Sequence, residues 1–229
     1  MGKKQQRMKV LELFAGSRSV GKACEELGYE VYSSDINPFP GIDYVTDIRD
    51  FDIDKVPFVP DILWASPPCT GFSVACIGRN WVQGEVFTPK TPSAQLGIEL
   101  LEATLYIINV FKSINPNLIW YIENPRGKMR KAPHWDEIKH IRHTVSYCKY
   151  GDARMKPTDI WTNNLNWQPK PMCKPFKYDY SSNPEGEVID RHCHHDASPR
   201  GTQTGGTQKL KGNYERSKIP HELCIEILK

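Results

Sequence analysis

Apolar positions along the chain fall into short blocks separated by polar turns, and their period changes from block to block. Residues 8–14 (MKVLELF) form an apolar run that stops at Ala15-Gly16, and residues 19–27 follow with helical spacing and close at Gly28. That pattern predicts a strand, a glycine turn and a helix. Residues 30–34 (EVYSS) predict a second strand with Asp35 at its C-terminal end. Residues 61–65 (DILWA) predict a third, cut short by Ser66-Pro67-Pro68-Cys69. An amphipathic helix is expected over 93–114, and a buried strand over 117–122 (NLIWYI) that ends at Glu123-Asn124-Pro125. Further strands are expected at 144–150 and 159–162, and a last short helix at 219–228 with Pro220 in its first turn. Strands alternating with helices predict an α/β fold with a parallel-rich sheet covered on both faces. Ligands of such sheets sit beyond the carboxyl ends of the strands. Gly16, Asp35, Cys69 and Glu123 all fall at expected strand ends.

The alternation lapses over 164–212, where Pro, Gly, His, Ser and Thr are frequent, which predicts a small irregular subdomain or a long functional loop. A length of 229 residues allows one large domain with at most a small appendage. With 39% hydrophobic and 25% charged residues, neither disorder nor a disulfide scaffold is expected. No apolar run approaches the ~20 residues of a bilayer span, and MGKKQQRMKV lacks the apolar core of a secretory signal. A cytoplasmic chain without a membrane partner is therefore expected. Seven scattered cysteines (Cys24, Cys69, Cys76, Cys148, Cys173, Cys193, Cys224) suit a reducing compartment. The net charge of +3 identifies no partner, but between Asn124 and Lys156 nine basic residues face three acids, a local +6. Such a stretch is either a phosphate-contact surface or a solvated basic face.

The turn FAGSRSVG departs from the dinucleotide pattern G-x-G-x-x-G: Gly16 and Gly21 are present, but Arg18 stands where the middle glycine belongs. That glycine lets backbone approach a pyrophosphate, so the arginine disfavours a pyrophosphate-bound cofactor. Asp35 lies 19 positions after Gly16, where an acid after the second strand accepts hydrogen bonds from ribose hydroxyls. A nucleoside ligand without a pyrophosphate fits better, and S-adenosylmethionine is the common one. Read alone, the turn is also compatible with a glycine that only packs helix on strand.

Cys69 follows the end of a strand and two prolines that fix the backbone and cannot continue a ladder. A thiol acts as a nucleophile in its thiolate form, so it needs partial exposure and an electropositive setting. By position alone Cys69 is as compatible with a structural role as with a catalytic one, and Cys76 in the following loop stays open. Cys24, Cys148 and Cys224 lie in apolar-periodic segments and read as core residues.

Taken in order, ELFAGS (12–17), the acid Asp35, TDI (46–48), DILWASPPC (61–69) and IENP (122–125) resemble the cytosine-C5 DNA methyltransferase family. YG at Tyr150-Gly151 with the basic patch after it, and RSKIP (216–220), are similar to that family's later motifs. ENPRGKMRK and KPTDIWTN resemble its compact, phage-type members. The resemblance covers about 8–163 and 213–229. It implies a Rossmann-like S-adenosylmethionine-dependent methyltransferase sheet over 1–163, a small target-recognition segment over 164–212, and a C-terminal helix over 213–229 returning to the catalytic domain. The implied chain is a monomer acting on DNA with a target cytosine, inside the host cell if phage-encoded.

By the same resemblance Cys69 adds to C6 of the cytosine, Glu123 holds or protonates N3, and Asn124 positions the loop around Cys69. Arg154 and Lys156 complete the catalytic set. Phe14, Ala15, Gly16, Ser17, Asp35, Ile36, Asp47, Ile48, Pro67 and Ser217 are expected to hold S-adenosylmethionine. Ser73, Arg79, Arg126, Lys128, Arg130 and Lys131 are expected to contact DNA, and residues 70–92 resemble the mobile loop that closes over a flipped nucleotide. The chain also departs from the family. Asp35 stands where Glu is frequent, Pro125 where Val is usual, and RMKPTDIW replaces the last arginine of its motif near Thr158. A degenerate DNA-binding protein of the same fold, or a pyrimidine-C5 transferase using RNA or a modified cofactor, is the alternative. Cys173, His192, Cys193, His194 and His195 could ligate zinc, but their spacing is that of no standard finger and no metal is expected. ASPRGTQTGGTQ (197–208) could lay donors against phosphates or base edges. So small a recognition segment implies a short target sequence.

Overall fold

Strands β1 (Lys9–Leu13), β2 (Glu30–Asp35), β3 (Tyr44–Val45), β4 (Ile62–Ala65), β5 (Ile119–Pro125), β6 (Ile141–Ser146) and β7 (Pro157–Thr162) share one sheet in a computed structural model, in the order β3-β2-β1-β4-β5-β7-β6. The structure describes residues 7–152, 154–173, 177–179, 187–190 and 212–229. Every pairing from β3 to β5 is parallel, and β7 enters antiparallel to both β5 and β6. The alternation of strands and helices predicts its parallel-rich α/β character, and the family resemblance implies its Rossmann-like form. The chain runs outward from β1 to β3 and then returns to place β4 on the other side of β1, so the switch point lies between β1 and β4.

The strands read as apolar runs because both faces are covered. Leu11, Leu13, Leu63, Ala65, Trp120 and Ile122 point to one core, where α3 (Pro92–Ile114) supplies Leu101, Leu105 and Ile108. Val10, Ile62, Trp64 and Tyr121 point to the other, built with α1 (Ser19–Glu26) and α5 (His221–Leu228). The Thr91 hydroxyl caps α3 by accepting from Ala94 N at 3.3 Å, and Pro92 occupies the first turn where its missing N–H is harmless. By length and composition α3 is long and apolar enough to cross a bilayer, although no uniformly apolar run marks it; here its inner face packs on the sheet.

Several elements differ from the expectation, β6 and β7 also starting earlier, at Ile141 and Pro157. β5 continues through Glu123, Asn124 and Pro125 instead of ending at Ile122. β6 stops at Ser146, and Tyr147–Tyr150 is a 3₁₀ turn closed by Gly151 at φ 82°. β3 was not foreseen because two residues carry no period. Pro220 precedes α5 rather than opening it, its backbone being extended. In the irregular region β8 (Lys177–Asp179) pairs with β9 (Glu187–Asp190), and α4 (Gly212–Ser217) precedes α5; the short α2 (Ile77–Asn80) lies after β4. His192, Cys193, His194, His195 and 197–208 lie outside the described residues.

Charged side chains are buried as well, Glu12 among them. Glu12, 2% exposed on the α1 face of β1, accepts the Val20 N–H at 3.2 Å and the Ser33 hydroxyl at 3.1 Å. It thereby ties the start of α1 to β1 and β2. Burial pushes its carboxyl up to about 7, against the backbone of Gly21, the Arg18 charge and the Ser33 hydroxyl, which act to lower it. Between the ordinary 4.5 and about 7, the folded chain holds a proton that the unfolded chain has released. Stability present below pH 4.5 is thus lost as the pH rises to 7, on the order of 3 kcal/mol for this group. His143, pushed down by burial, acts in the opposite sense. The expected result is read from denaturant unfolding at pH 4.5–8: wild type loses stability across this window relative to Glu12→Gln, and parallel profiles would refute the assignment.

Candidate active site

The sheet topology brings distant parts of the chain to one edge. β4 ends at Ala65 opposite Ile122, whereas β5 runs three residues farther with only β7 beside it. This overhang carries Glu123 and Asn124 past the end of β4, to the level of Ser66–Cys69. Pro125, with no N–H to offer, is tolerated because β4 is no longer alongside. β6 runs in the same direction as β5, and β7 runs against both, so Tyr147 after β6 and Lys156 before β7 reach the same edge. Phe14–Gly16 after β1 and Asp35 at the end of β2 complete it.

Cys69 opens a 3₁₀ turn after Pro67 and Pro68 and is partly exposed. The fully buried Asn124 donates through Nδ2 to the Pro67 carbonyl at 2.7 Å, which holds the nucleophile turn against the β5 overhang. A second tie joins the same elements: Lys128 N donates to Phe72 O at 2.8 Å, and Ser73 bridges Gly127. A Cβ on Gly127 would stand 2.3 Å from Phe72 O, so this approach requires glycine. Residues 70–92 are themselves pinned. Buried Asn80 donates to Thr70 O and Gly71 O at 3.1 and 3.2 Å, Trp81 Nε1 donates to Gly71 O at 2.8 Å, and Phe72 stacks on Trp81. Val74 and Val86 remain exposed along this loop.

Burial pushes the Cys69 thiol above its ordinary value, the Glu123 charge adds to that, and the Lys156 charge opposes both. Lys156 is thus the electropositive neighbour that a reactive thiol requires. Its ammonium lies 4.6 Å from the centre of the Tyr147 ring, and its own backbone is left-handed, φ 26°. Tyr147 is wholly buried and donates its hydroxyl to Glu123 Oε1 at 2.8 Å. Sequence reasoning missed Tyr147, since nothing in TVSYCKYG marks one tyrosine as facing a residue 24 positions earlier. It also missed Glu12, for which a signal existed: one carboxylate inside an otherwise apolar strand.

Several of the expected cofactor residues gather at the carboxyl ends of β1 and β2. Phe14 and Gly16 both have left-handed backbone, φ 55° and 49°, which turns the chain sharply at the end of β1. Gly16 N donates to Asp35 Oδ2 at 2.9 Å, and Asn37 N to Asp35 Oδ1 at 2.8 Å. A side chain on Gly16 would fill the space between Ser217 Oγ and Asp35 Oδ2. Ile36, next to Asp35, is 62% exposed, an apolar face offered to solvent. Buried Ala15 and Ser17 support the turn, with Ser17 Oγ 2.8 Å from Ser19 Oγ. This donor set fits a nucleoside: a carboxylate for ribose hydroxyls, an apolar platform, and a turn kept open by glycine. Asp47 is differently employed, capping the Ile48–Asp50 turn and pairing with Arg49, which holds its carboxyl below the usual range. Ile48 is buried in the α3 core.

The basic stretch is not the free charged face its count suggests. Arg130 forms a two-pronged ion pair with fully buried Asp159 and also donates to Thr144 Oγ1 at 2.6 Å. Lys128 donates to Glu85 O at 3.2 Å and lies 5.4 Å over the Trp81 ring, so it braces the loop. Arg154, 8% exposed, grips Asp152 and reaches Lys218 O at 3.4 Å. Arg79, Arg126 and Lys131 are exposed, Arg79 approaching Cys76 Sγ at 3.6 Å, and Ser73 is half-buried.

No family model matches the chain. A curated relative, the "Probable DNA (cytosine-5)-methyltransferase" of Frog virus 3 (isolate Goorha), is 30% identical over 237 residues, spanning 96% of this chain and 99% of its own length. The chain belongs to the DNA (cytosine-5)-methyltransferase family. Similar solved structures include a triple mutant of Spodoptera frugiperda DNMT2 (21% identity, TM-score 0.43, 71% of this chain and 52% of that one). S. pombe Dnmt2 (18%, 0.46, 72% and 51%) and Entamoeba histolytica EhMeth (13%, 0.47, 72% and 56%) are others. The chain spans about half the length of these three. In this methyltransferase the charges around Cys69 set its reactivity, and alkylation measures it. Iodoacetamide labelling of Cys69, followed by peptide mass spectrometry against pH, is expected to reach half-rate above pH 9, the ordinary thiol value. Lys156→Gln should move that midpoint up and Glu123→Gln should move it down; the opposite order would exclude this electrostatic arrangement.

Proposed function

We propose that this chain methylates C5 of cytosine in DNA with S-adenosylmethionine as methyl donor. The observation that carries the reading is the β5 overhang, which sets Glu123 and Asn124 beside the Cys69 turn on the edge that also holds Gly16 and Asp35. Asp35 would hold the ribose, Ile36 the adenine face, and the Phe14–Ser17 turn with Pro67 and Ser217 the remainder of the cofactor. Bound there, S-adenosylmethionine supplies an electrophilic methyl group. Cys69 adds to C6 of the cytosine, and Glu123 gives a proton to N3, taking up the charge as the S–C6 bond forms. C5 is thereby made nucleophilic. Once C5 carries the methyl group, loss of the C5 proton, expulsion of the Cys69 thiolate and return of the N3 proton to Glu123 restore C5–C6 unsaturation and the free enzyme.

Stacking covers the ring faces along which a thiolate must add to C6 and a methyl group must reach C5, so the cytosine must leave the duplex, at a cost of a few kcal/mol. Exposed Arg79, Arg126 and Lys131, with Ser73, are the groups positioned to meet phosphates around it. Arg154 acts through Asp152 and the 212–229 segment, and Lys156 through its charge on Cys69. Residues 164–212 serve target recognition. We further assign the chain to the compact, phage-type kind, supported by ENPRGKMRK and KPTDIWTN. It acts as an intracellular monomer.

The test is transfer of tritium from labelled S-adenosylmethionine to duplexes of varied sequence, with an RNA control. Wild type is expected to label DNA, and Cys69→Ala to fall to background. Duplexes carrying 5-fluorocytosine should trap a covalent adduct, since the C5 fluorine cannot leave as a proton does. Labelling of RNA alone, or an adduct formed by Cys69→Ala, would overturn the proposal.

A further inference from the structure

Glu123 has a partner that the reaction as described does not use. Tyr147 emerges from the end of β6 into a 3₁₀ turn, is 0% exposed, and gives its hydroxyl proton to Glu123 Oε1 at 2.8 Å. A buried carboxyl with no fixed partner can rotate about its side-chain torsions, which are broad for a terminal carboxyl group. A single donor on one oxygen removes that freedom and leaves the other oxygen as the one directed to a ligand. The Tyr147 ring is in turn held by Lys156 at 4.6 Å, and Thr158 stands beside its hydroxyl. Tyr147 therefore touches the proposed acid at its oxygen, and the residue that tunes the nucleophile at its ring.

We propose that Tyr147 is a positioning residue for Glu123: its hydroxyl fixes Oε1, presents Oε2 to the pyrimidine N3 edge, and stabilises the carboxylate left when that proton is given up. Burial, and then the Glu123 charge and hydrogen bond, hold the Tyr147 hydroxyl far above its ordinary range, so it stays a donor throughout. No bond to Tyr147 forms or breaks in the cycle. The role of Glu123 toward N3 rests on the function proposed above; the pairing of the two side chains does not.

Two readouts separate these. The first needs neither DNA nor cofactor. In protein labelled with ¹³C at tyrosine Cζ, one of the ten resonances vanishes in Tyr147→Phe, and the same resonance is expected to shift in Glu123→Gln while the other nine hold. Should Tyr147→Phe not fold, the resonance that moves in Glu123→Gln identifies the pair by itself. No shift in Glu123→Gln would overturn the proposal. The second is kinetic. Tyr147→Phe should lower kcat on cytosine DNA roughly 10- to 100-fold, the worth of a hydrogen bond to a charged group, with KM for DNA within about twofold. In a Glu123→Gln background it should cost nothing more. An unchanged kcat, or an equal loss added to that of Glu123→Gln, would also overturn it. A wild-type chain that labels no DNA while the resonance shifts would instead refute the proposed function and leave the pairing standing.

Discussion

The candidate site depends on the unequal length of two neighbouring strands. Where β4 stops at Ala65 and β5 continues for three residues, a step is left in the carboxyl edge of the sheet, and the chain after β4 turns into it. Asn124 closes the step by holding the Pro67 carbonyl, and the prolines at 67 and 68 keep the turn from rejoining the ladder. β7 makes the overhang stable. Running antiparallel, it satisfies the backbone of Glu123–Pro125 that β4 leaves unpaired, and it delivers Lys156 to the same place.

Charge is distributed around that step in opposed pairs. Glu123 and Lys156 pull the Cys69 thiol in contrary directions, with burial siding with Glu123. Farther out, Arg130 neutralises Asp159 inside the sheet and Arg154 answers Asp152. Removing either arginine alone would strand a partly or wholly buried acid, which costs more than the pair contributes. Part of the +6 stretch is therefore taken up in the pairs of Arg130 and Arg154, while Arg126, Lys131, Lys139 and Arg142 face outward.

Most of the fold was legible in the sequence. Apolar runs such as VLEL, ILWA and LIWYI, each stopped by glycine or proline, placed β1, β4 and most of β5, and 3.6-residue spacing placed α1 and α3. Boundaries failed where tertiary contacts decide them. Glu123-Asn124-Pro125 reads as a strand stop, and only pairing with β7 makes it part of the strand. The run TVSYCKYG reads as extended, but Gly151 at φ 82° closes its second half into a turn. Cys69, Glu123, Gly16 and Asp35 were recognisable because each lies at or just beyond the end of an apolar run that a local pattern reveals, and the ordered motifs were recognisable as a family.

The sequence by itself determined the order of strands and helices, the residue types at the strand ends and the family, because these rest on local periodicity and on motifs read in line. Only the tertiary structure decided which of those ends meet. Tyr147 and Glu123 are 24 residues apart and joined by one hydrogen bond, Glu12 is neutral or charged according to how deeply β1 lies, and the basic residues divide into buried pairs and exposed groups. Each of these is a matter of distance and dehydration across the sheet, and no one-dimensional pattern encodes either quantity.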